Sequence, residues 1–112
     1  VEEPLDIADA IDLYGNRATV ILLDCLTLWM GNLFVDSLKV EKILTEINRL
    51  TDALKSCPCP VFVVSNEVGM GIVPDNAIAR QYRDAVGWAN QAVAACADRV
   101  ILTVAGIPLV VK

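Results

Sequence analysis

The chain has 112 residues, of which 55 % are hydrophobic, and its formal net charge is −5. This length fits one domain that buries a core of its own. The acidic balance argues against a nucleic-acid backbone as the main partner, because such binding depends on lysine and arginine. It does not exclude a nucleotide, whose phosphates can be bound by backbone N–H groups and a metal ion.

The first half of the chain predicts a helix, a strand and two further helices. Apolar residues at helical spacing indicate a short helix over Leu5–Tyr14, which a glycine and an asparagine end. The apolar run Thr19–Leu23 predicts a buried strand, and helical spacing resumes over Leu26–Leu33. An amphipathic helix is predicted over Lys39–Ser56.

One apolar stretch, Ala18–Val35, has roughly the length of a membrane span. Asp24 lies inside it, and an aspartate at the centre of a bilayer helix costs about 3 kcal/mol. A strand followed by a short helix is therefore the better interpretation, and we expect no membrane span.

The second half predicts a strand, a long helix and a terminal hairpin. The strand is Val61–Val64, and Asp75 is the expected N-cap of a helix that ends near Cys96. Two short strands, Arg99–Val104 and Leu109–Val111, are expected to pair as a hairpin. Strands that alternate with helices predict a mainly parallel α/β sheet covered by helices on both faces, with the hairpin as its antiparallel edge.

The segment Val20–Asp24 has four apolar residues followed by an acid, which is the form of a Walker B strand. Such a strand delivers one carboxylate to the sheet edge, where it holds Mg²⁺ directly or through water. The alternative is that Asp24 caps the next helix. The partner motif G-x-x-x-x-G-K-[ST] does not occur in the 112 residues, so either it precedes Val1 or the Walker interpretation is wrong.

Asp24 is the first polar step at a strand end, and a second polar step follows the second strand. Ser65, Asn66 and Glu67 come directly after an apolar run and lead into a loop with two glycines. Ligands bind at the carboxyl ends of strands in open α/β sheets, so this loop is a candidate binding site. A plain connection whose polar residues cap the next helix is the alternative.

The remaining polar candidates have simpler interpretations. Arg80 and Arg83 could contact phosphate, or they could form a solvated helix face paired to Asp84. Cys57 and Cys59 flank a proline, but the chain has no histidine and no second cysteine pair near them, so we expect free thiols in a reducing cytoplasm rather than a metal site. Histidine-dependent nucleophilic systems are absent from these 112 residues. The two tryptophans, Trp29 and Trp88, are expected in the core.

Three segments carry a family resemblance: Leu22–Trp29, Asn66–Pro74 and Val104–Pro108. The first is followed by Asn32-Leu33, and the second by a spaced series that belongs to the same signature: Arg80, Arg83-Asp84, Gly87 and Asn90-Gln91. Together they are similar to the bifunctional adenosylcobinamide kinase / adenosylcobinamide-phosphate guanylyltransferase family of cobalamin biosynthesis. The resemblance runs from Val1 to Lys112 and covers only the C-terminal part of such proteins.

The resemblance implies a P-loop NTPase (RecA-like) three-layer fold, with residues 1–112 as a single partial domain. It implies a cytoplasmic homo-oligomer, commonly a trimer, that uses Mg²⁺. Such enzymes phosphorylate the aminopropanol hydroxyl of adenosylcobinamide with ATP or GTP, and then transfer GMP from GTP to give adenosylcobinamide-GDP. The family's P-loop and its guanylylated histidine would both precede Val1, so we expect the 112 residues alone to be inactive.

The resemblance also implies site residues. Glu2 and Asp24 align with nucleotide-binding acids of the family, and Asp24 is the expected Mg²⁺ residue, through water. Asn66 and Glu67 are candidates for a nucleotide or substrate loop. Two alternatives remain open: a non-enzymatic α/β module for binding or oligomerisation through an exposed sheet edge, and another P-loop kinase with a different acceptor.

Overall fold

The computed structural model describes residues 1–37 and 39–112. The order and type of the predicted elements are confirmed. Most predicted boundaries lie within two residues of the observed ones. A short 3₁₀ turn was not predicted. The elements are α1 (Ile7–Gly15), β1 (Ile21–Asp24), α2 (Leu26–Asp36), α3 (Val40–Ser56), β2 (Val61–Val64), the 3₁₀ turn (Val68–Met70), α4 (Ala77–Cys96), β3 (Ile101–Val104) and β4 (Ile107–Val110).

The strands β1 and β2 form a parallel pair, as the alternation of strands and helices predicts. Their register places Ile21 beside Val61 and Asp24 beside Val64. The intervening α2 and α3 provide the long crossover that a parallel pair requires. Both strands therefore end at the same edge, where the two polar steps of the sequence follow.

The strands β3 and β4 form the predicted antiparallel hairpin. Its turn is Ala105-Gly106, with φ of 50° and 78°, the left-handed region that two-residue hairpins use. The prediction that this hairpin is the edge of the parallel sheet is wrong for the described residues, where it is a separate two-stranded sheet. Its backbone hydrogen bonds stay within the hairpin, which Val100 and Lys112 extend at its open end.

The core lies between the four helices and one face of the β1–β2 sheet. α3 packs against α1 and α4, and α2 packs against α4. Leu23 and Val63 pack onto this core from the sheet. The residues that fill it are Ile7, Ala8, Ile11, Leu26, Trp29, Met30, Leu33, Ile43, Ile47, Leu50, Ala53, Ala85, Val86, Ala89 and Val93.

The opposite face of the sheet is open, which differs from the predicted cover on both faces. Leu22 and Phe62 are neighbours in the register and are 65 % and 63 % exposed. Val20 and Val64 extend this apolar surface along the two strands, and both are exposed. We call these four residues the open apolar face.

Two further sequence predictions need correction. The N-cap of α4 is Asn76 rather than Asp75: the Asn76 carboxamide oxygen accepts hydrogen bonds from the backbone N–H groups of Ile78 and Ala79 at 2.8 and 3.1 Å. Only the residue directly before the first turn has its side chain within reach of those amides. Of the two tryptophans expected in the core, Trp29 is buried but Trp88 is 39 % exposed.

The stretch Ala18–Val35 folds as β1 and most of α2, as predicted. Within residues 1–37 and 39–112, no helix has both the length and the apolar character that crossing a membrane requires.

The segment before α1 is ordered by the Glu3 carboxylate. It accepts hydrogen bonds from the backbone N–H groups of Leu5 and Asp6, at 3.0 and 2.9 Å. These two bonds favour the ionised carboxylate and lower the pKa of Glu3. The turn that leads into α1 therefore depends on a negative charge.

This dependence predicts a pH-sensitive contribution of Glu3 to stability. A carboxyl group with a lowered folded-state pKa stabilises the fold above its unfolded pKa of about 4.3, and this stabilisation is lost as the pH falls through the lower folded pKa. The free energy of unfolding of Glu3→Gln should therefore lie below that of the native protein near neutral pH and converge on it in acid. Urea unfolding between about pH 3 and about pH 7 measures this difference.

Glu3→Ala serves as the matched variant, because it removes the acceptor oxygen as well as the charge. It should be less stable than Glu3→Gln throughout the pH range. A difference between Glu3→Gln and the native protein that does not change with pH would contradict the role given to the charge.

Candidate functional site

Asp24 is the last residue of β1 and lies beside Val64, the last residue of β2. The peptide bond that follows Asp24 is cis. Ser65, Asn66 and Glu67 continue directly from β2. The two polar steps that the sequence places after separate strands are thus adjacent at the carboxyl edge of one parallel sheet, where ligands of open α/β folds bind.

Asp24 does not cap α2. The N-cap of that helix is Cys25, and no side chain makes a capping hydrogen bond there. Within the described part of the chain, the Asp24 carboxylate forms no ion pair and no hydrogen bond through its side chain. The alternative function as a helix cap is therefore not supported, and an exposed carboxylate remains at the end of a rigid strand.

An open concavity of about 530 Å³ lies beside β1, and both predicted nucleotide-binding acids, Glu2 and Asp24, line it. The N-terminal segment and α1 form one wall, and β1 with the start of α2 forms the other. Its apolar lining includes Ile7, Ile11, Leu22 and Leu28. The volume falls in the range of small-molecule sites, about 300–1,000 Å³.

Two side chains of α2 hold the segment that carries Glu2. The Trp29 indole Nε1–H donates to the Leu5 carbonyl at 2.9 Å, and the Asn32 carboxamide donates to the Pro4 carbonyl at 3.0 Å. Because Trp29 is buried, its hydrogen bond ties the segment to the core of the domain. From the sequence we expected Trp29 only in the core and Asn32 only as part of the family signature.

The loop after β2 is joined to α2 through Thr27. The Asn66 carboxamide donates to the Thr27 hydroxyl at 3.0 Å, and the Tyr82 hydroxyl of α4 donates to the Thr27 carbonyl at 2.9 Å. Burial raises the pKa of Tyr82, so its hydroxyl remains a donor. The Cys25 sulfur lies 3.0 Å from the same Thr27 hydroxyl, which links the network to the residue after Asp24.

Asn90 of α4 contacts all three residues of the polar step. Its carboxamide oxygen accepts from the Ser65 hydroxyl at 2.5 Å. Its NH₂ group donates to the Asn66 carbonyl at 3.0 Å and to the Glu67 carboxylate at 3.2 Å. Side chains from two helices, α2 and α4, therefore hold the loop.

The structure brings together Glu2 and Asp24 in the concavity, while Asn66 and Glu67 belong to the adjacent hydrogen-bond network and are not among the concavity-lining residues. Sequence reasoning missed Thr27, Tyr82 and Asn90. Asn90 belongs to the family signature, and this was the one sequence feature that pointed to it. Neither spacing nor composition indicates which residues its carboxamide contacts.

The two candidate arginines of α4 have structural partners. Arg83 lies 3.6 Å from Asp84, which agrees with the predicted pairing on the helix. Arg80 donates to the carbonyls of Pro74 and Asp75 at 2.8 and 2.7 Å, so it fixes the end of the signature loop instead.

The donor set at the concavity suits Mg²⁺ better than a transition metal. Across residues 1–37 and 39–112, no group of three or more histidine, cysteine or carboxylate side chains is arranged to hold a metal. Mg²⁺ needs no such group, because it is commonly bound by one or two carboxylates together with substrate phosphates and water. The exposed carboxylate of Asp24 fits that requirement.

Comparisons with known proteins agree on one family. The family model described as cobinamide kinase / cobinamide phosphate guanyltransferase matches residues 1–111. The bifunctional adenosylcobalamin biosynthesis protein CobP of Pseudomonas aeruginosa is 38 % identical over 112 residues, which is 100 % of this chain and 64 % of that protein.

Two proteins named bifunctional adenosylcobalamin biosynthesis protein CobU are similarly related. The one from Salmonella typhimurium is 42 % identical over 120 residues, with 96 % of this chain and 65 % of that protein covered. The one from Escherichia coli is 39 % identical over 109 residues, with 87 % of this chain and 60 % of that protein covered. The chain thus spans less than two thirds of the length of each of these relatives.

The contacts of Asn90 predict that it keeps the Ser65–Glu67 loop ordered. Asn90→Ala removes three side-chain hydrogen bonds, each worth about 1 kcal/mol. Backbone amides of residues 65–68 should therefore exchange with deuterium at least about tenfold faster, while those of α3 keep their protection.

Gln91→Ala is the control, because Gln91 is the exposed neighbour of Asn90 on the same helix. Equal exchange rates for residues 65–68 in the two variants would show that Asn90 does not order the loop.

Proposed function

The chain belongs to the cobinamide kinase / cobinamide phosphate guanyltransferase family, and from this we propose that the protein phosphorylates adenosylcobinamide and then guanylylates the product. The first step transfers a phosphoryl group from ATP or GTP to the aminopropanol hydroxyl. The second transfers GMP from GTP to that phosphate and gives adenosylcobinamide-GDP. The match over residues 1–111 and the names of the three relatives support this proposal.

The observation that carries the proposal at the level of residues is that Glu2 and Asp24 line one concavity beside β1, with Asp24 at the carboxyl end of that strand. Two carboxylates cannot both face nucleotide phosphates without a cation between them, because like charges repel. We therefore assign them different parts of the nucleotide. Asp24 binds on the phosphate side, and Glu2 accepts hydrogen bonds from hydroxyl or N–H groups of the nucleoside.

Asp24 is the residue that would hold Mg²⁺, through water. When bound, the ion would neutralise the negative charge that develops on the phosphate oxygens. The protein's own contribution is to fix the carboxylate: it stands at the end of β1, whose register with β2 sets its position. The hydrogen bonds of Trp29 and Asn32 fix the opposite, Glu2-bearing wall in the same way.

Asn66 and Glu67 form a candidate wall for the nucleotide or the corrinoid substrate. Asn90 and Thr27 hold both residues before any ligand binds. A polar group whose position is already fixed loses less conformational entropy when it binds, so it suits recognition.

The proposed chemistry also needs a phosphate-binding loop and a histidine that accepts the guanylyl group. The 112 residues contain no histidine and no G-x-x-x-x-G-K-[ST] motif. We infer that other parts of the polypeptide supply both groups, as in a P-loop NTPase fold, and that the whole enzyme is a cytoplasmic homo-oligomer, with a trimer expected.

The assignment of Asp24 predicts the effect of Asp24→Asn in the full-length protein. Loss of the carboxylate should lower both the kinase and the guanylyltransferase rates by about 10²-fold or more, the magnitude seen when one group that stabilises transition-state charge is removed. Turnover of adenosylcobinamide with ATP, and of its phosphate with GTP, measures the two activities. The 112 residues alone should show neither.

Asp52→Asn is the matched control, because Asp52 is an exposed carboxylate on α3 that pairs only at 3.7 Å with Lys55 and does not line the concavity. Near-normal rates for Asp24→Asn would contradict the assignment. Phosphorylation of another alcohol in preference to adenosylcobinamide would instead favour a P-loop kinase with a different acceptor.

The open apolar face favours a second candidate role, self-association. Val20, Leu22, Phe62 and Val64 expose a continuous apolar surface on a parallel sheet, and such sheets are normally covered on both faces. A second copy could cover this surface and pair with the exposed sheet edge.

Light scattering on the 112-residue chain tests this role. The chain should be an oligomer, and Phe62→Lys should make it a monomer because a charge then occupies the centre of the open apolar face. Leu109→Lys, at an exposed apolar position of the hairpin, should leave the oligomer intact. A monomeric native chain would exclude self-association through this face.

A further inference from the structure

We propose that Cys57 and Cys59 form a dithiol that closes to an intramolecular disulfide by exchange with a small-molecule disulfide of the glutathione type. Their Sγ atoms lie 3.7 Å apart, on either side of Pro58 in the connection between α3 and β2. Neither residue is among those that line the concavity, so the pair is a separate modification site that does not depend on the proposed function.

The geometry requires only a small movement to form the bond. Disulfide sulfurs are about 2.05 Å apart, so the two Sγ atoms must approach by about 1.7 Å. Cys57 is the C-cap residue of α3, and Cys59 lies two residues before the start of β2. Side-chain rotation in this turn therefore leaves the hydrogen-bonded interior of the helix and the strand in place.

The packing around the pair leaves room for the sulfur atoms. Gly15, the last residue of α1, lies against Cys57, and a Cβ at that position would be 3.0 Å from the Cys57 sulfur and 3.2 Å from the Cδ of Pro58. Both cysteines are half-buried rather than fully buried, so a small disulfide can reach them.

The other two cysteines have different surroundings. The Cys25 sulfur is 3.0 Å from the Thr27 hydroxyl, and the Cys96 thiol donates to the Val93 carbonyl at 3.3 Å. Among the residues that the structure describes, Cys57 and Cys59 are the only two cysteines whose sulfur atoms lie beside each other.

The exchange proceeds in two balanced steps. The Cys57 thiolate attacks one sulfur of the small disulfide, and the other half leaves as a thiolate that takes up a proton. Cys59 then loses its proton and attacks the Cys57 sulfur of the mixed disulfide, which releases the second small thiol. Two protein thiols are oxidised and one small disulfide is reduced to two thiols. Burial and the neighbouring Cys57 raise the pKa of Cys59, which disfavours its thiolate and therefore argues against Cys59 as the first attacking group.

Peptide mapping of the reduced, full-length protein after incubation with oxidised glutathione and an acid quench tests the proposal. Trypsin separates the cysteines, because Cys57 and Cys59 share the peptide 56–80 while Cys25 and Cys96 fall in the peptides 18–39 and 84–99. The peptide 56–80 should lose the mass of two hydrogen atoms, carry no glutathione and resist alkylation until it is reduced.

Single variants distinguish the dithiol from independent thiols. Cys57→Ser and Cys59→Ser should each carry one glutathione on the peptide 56–80 instead of an internal bond, whereas Cys96→Ser should behave like the native protein. Native protein whose peptide 56–80 keeps two free thiols, carries two glutathiones or is linked to another cysteine would overturn the proposal. The native measurement decides the question even where a variant fails to fold.

Discussion

The parallel pairing of β1 and β2 is the constraint on which the rest of the site depends. Because Asp24 and Val64 are partners in the register, both strands end at the same edge of the sheet. A shift of β1 by one residue against β2 would turn Leu23 out of the core and move the exposed Leu22 inward. The same register that buries the core therefore also sets where the Asp24 carboxylate stands relative to the Ser65–Glu67 loop.

The sequence predicted the elements well because their signals are local. The helical stripe of α3 and the apolar runs of β1 and β2 follow from periodicity alone. The prediction of the cap failed by one residue, since Asp75 and Asn76 are both good caps by type. Only the start of the helix distinguishes them.

What the sequence could not predict are the contacts between distant residues. Asn90 is 23 to 25 residues from the loop atoms it binds, and Tyr82 is 55 residues from Thr27. Such pairs depend on how α4 packs against α2 and the loop after β2, which no local pattern encodes. The predictions that the hairpin joins the parallel sheet and that Trp88 lies in the core failed for the same reason. Each depends on which residues lie beside the element rather than on its own sequence.

Helix α2 touches both sides of the candidate site. Trp29 and Asn32 bind the segment that carries Glu2, and Thr27 binds the loop that carries Asn66. A movement of this helix would therefore shift the Glu2 segment and the Asn66 loop together. Over evolutionary time, substitutions at Thr27 and Asn66 should occur together, whereas the exposed Glu2 can vary without disturbing the Asn66 loop. Ligand preference is consequently easier to change at Glu2 than from within the helix that supports its segment.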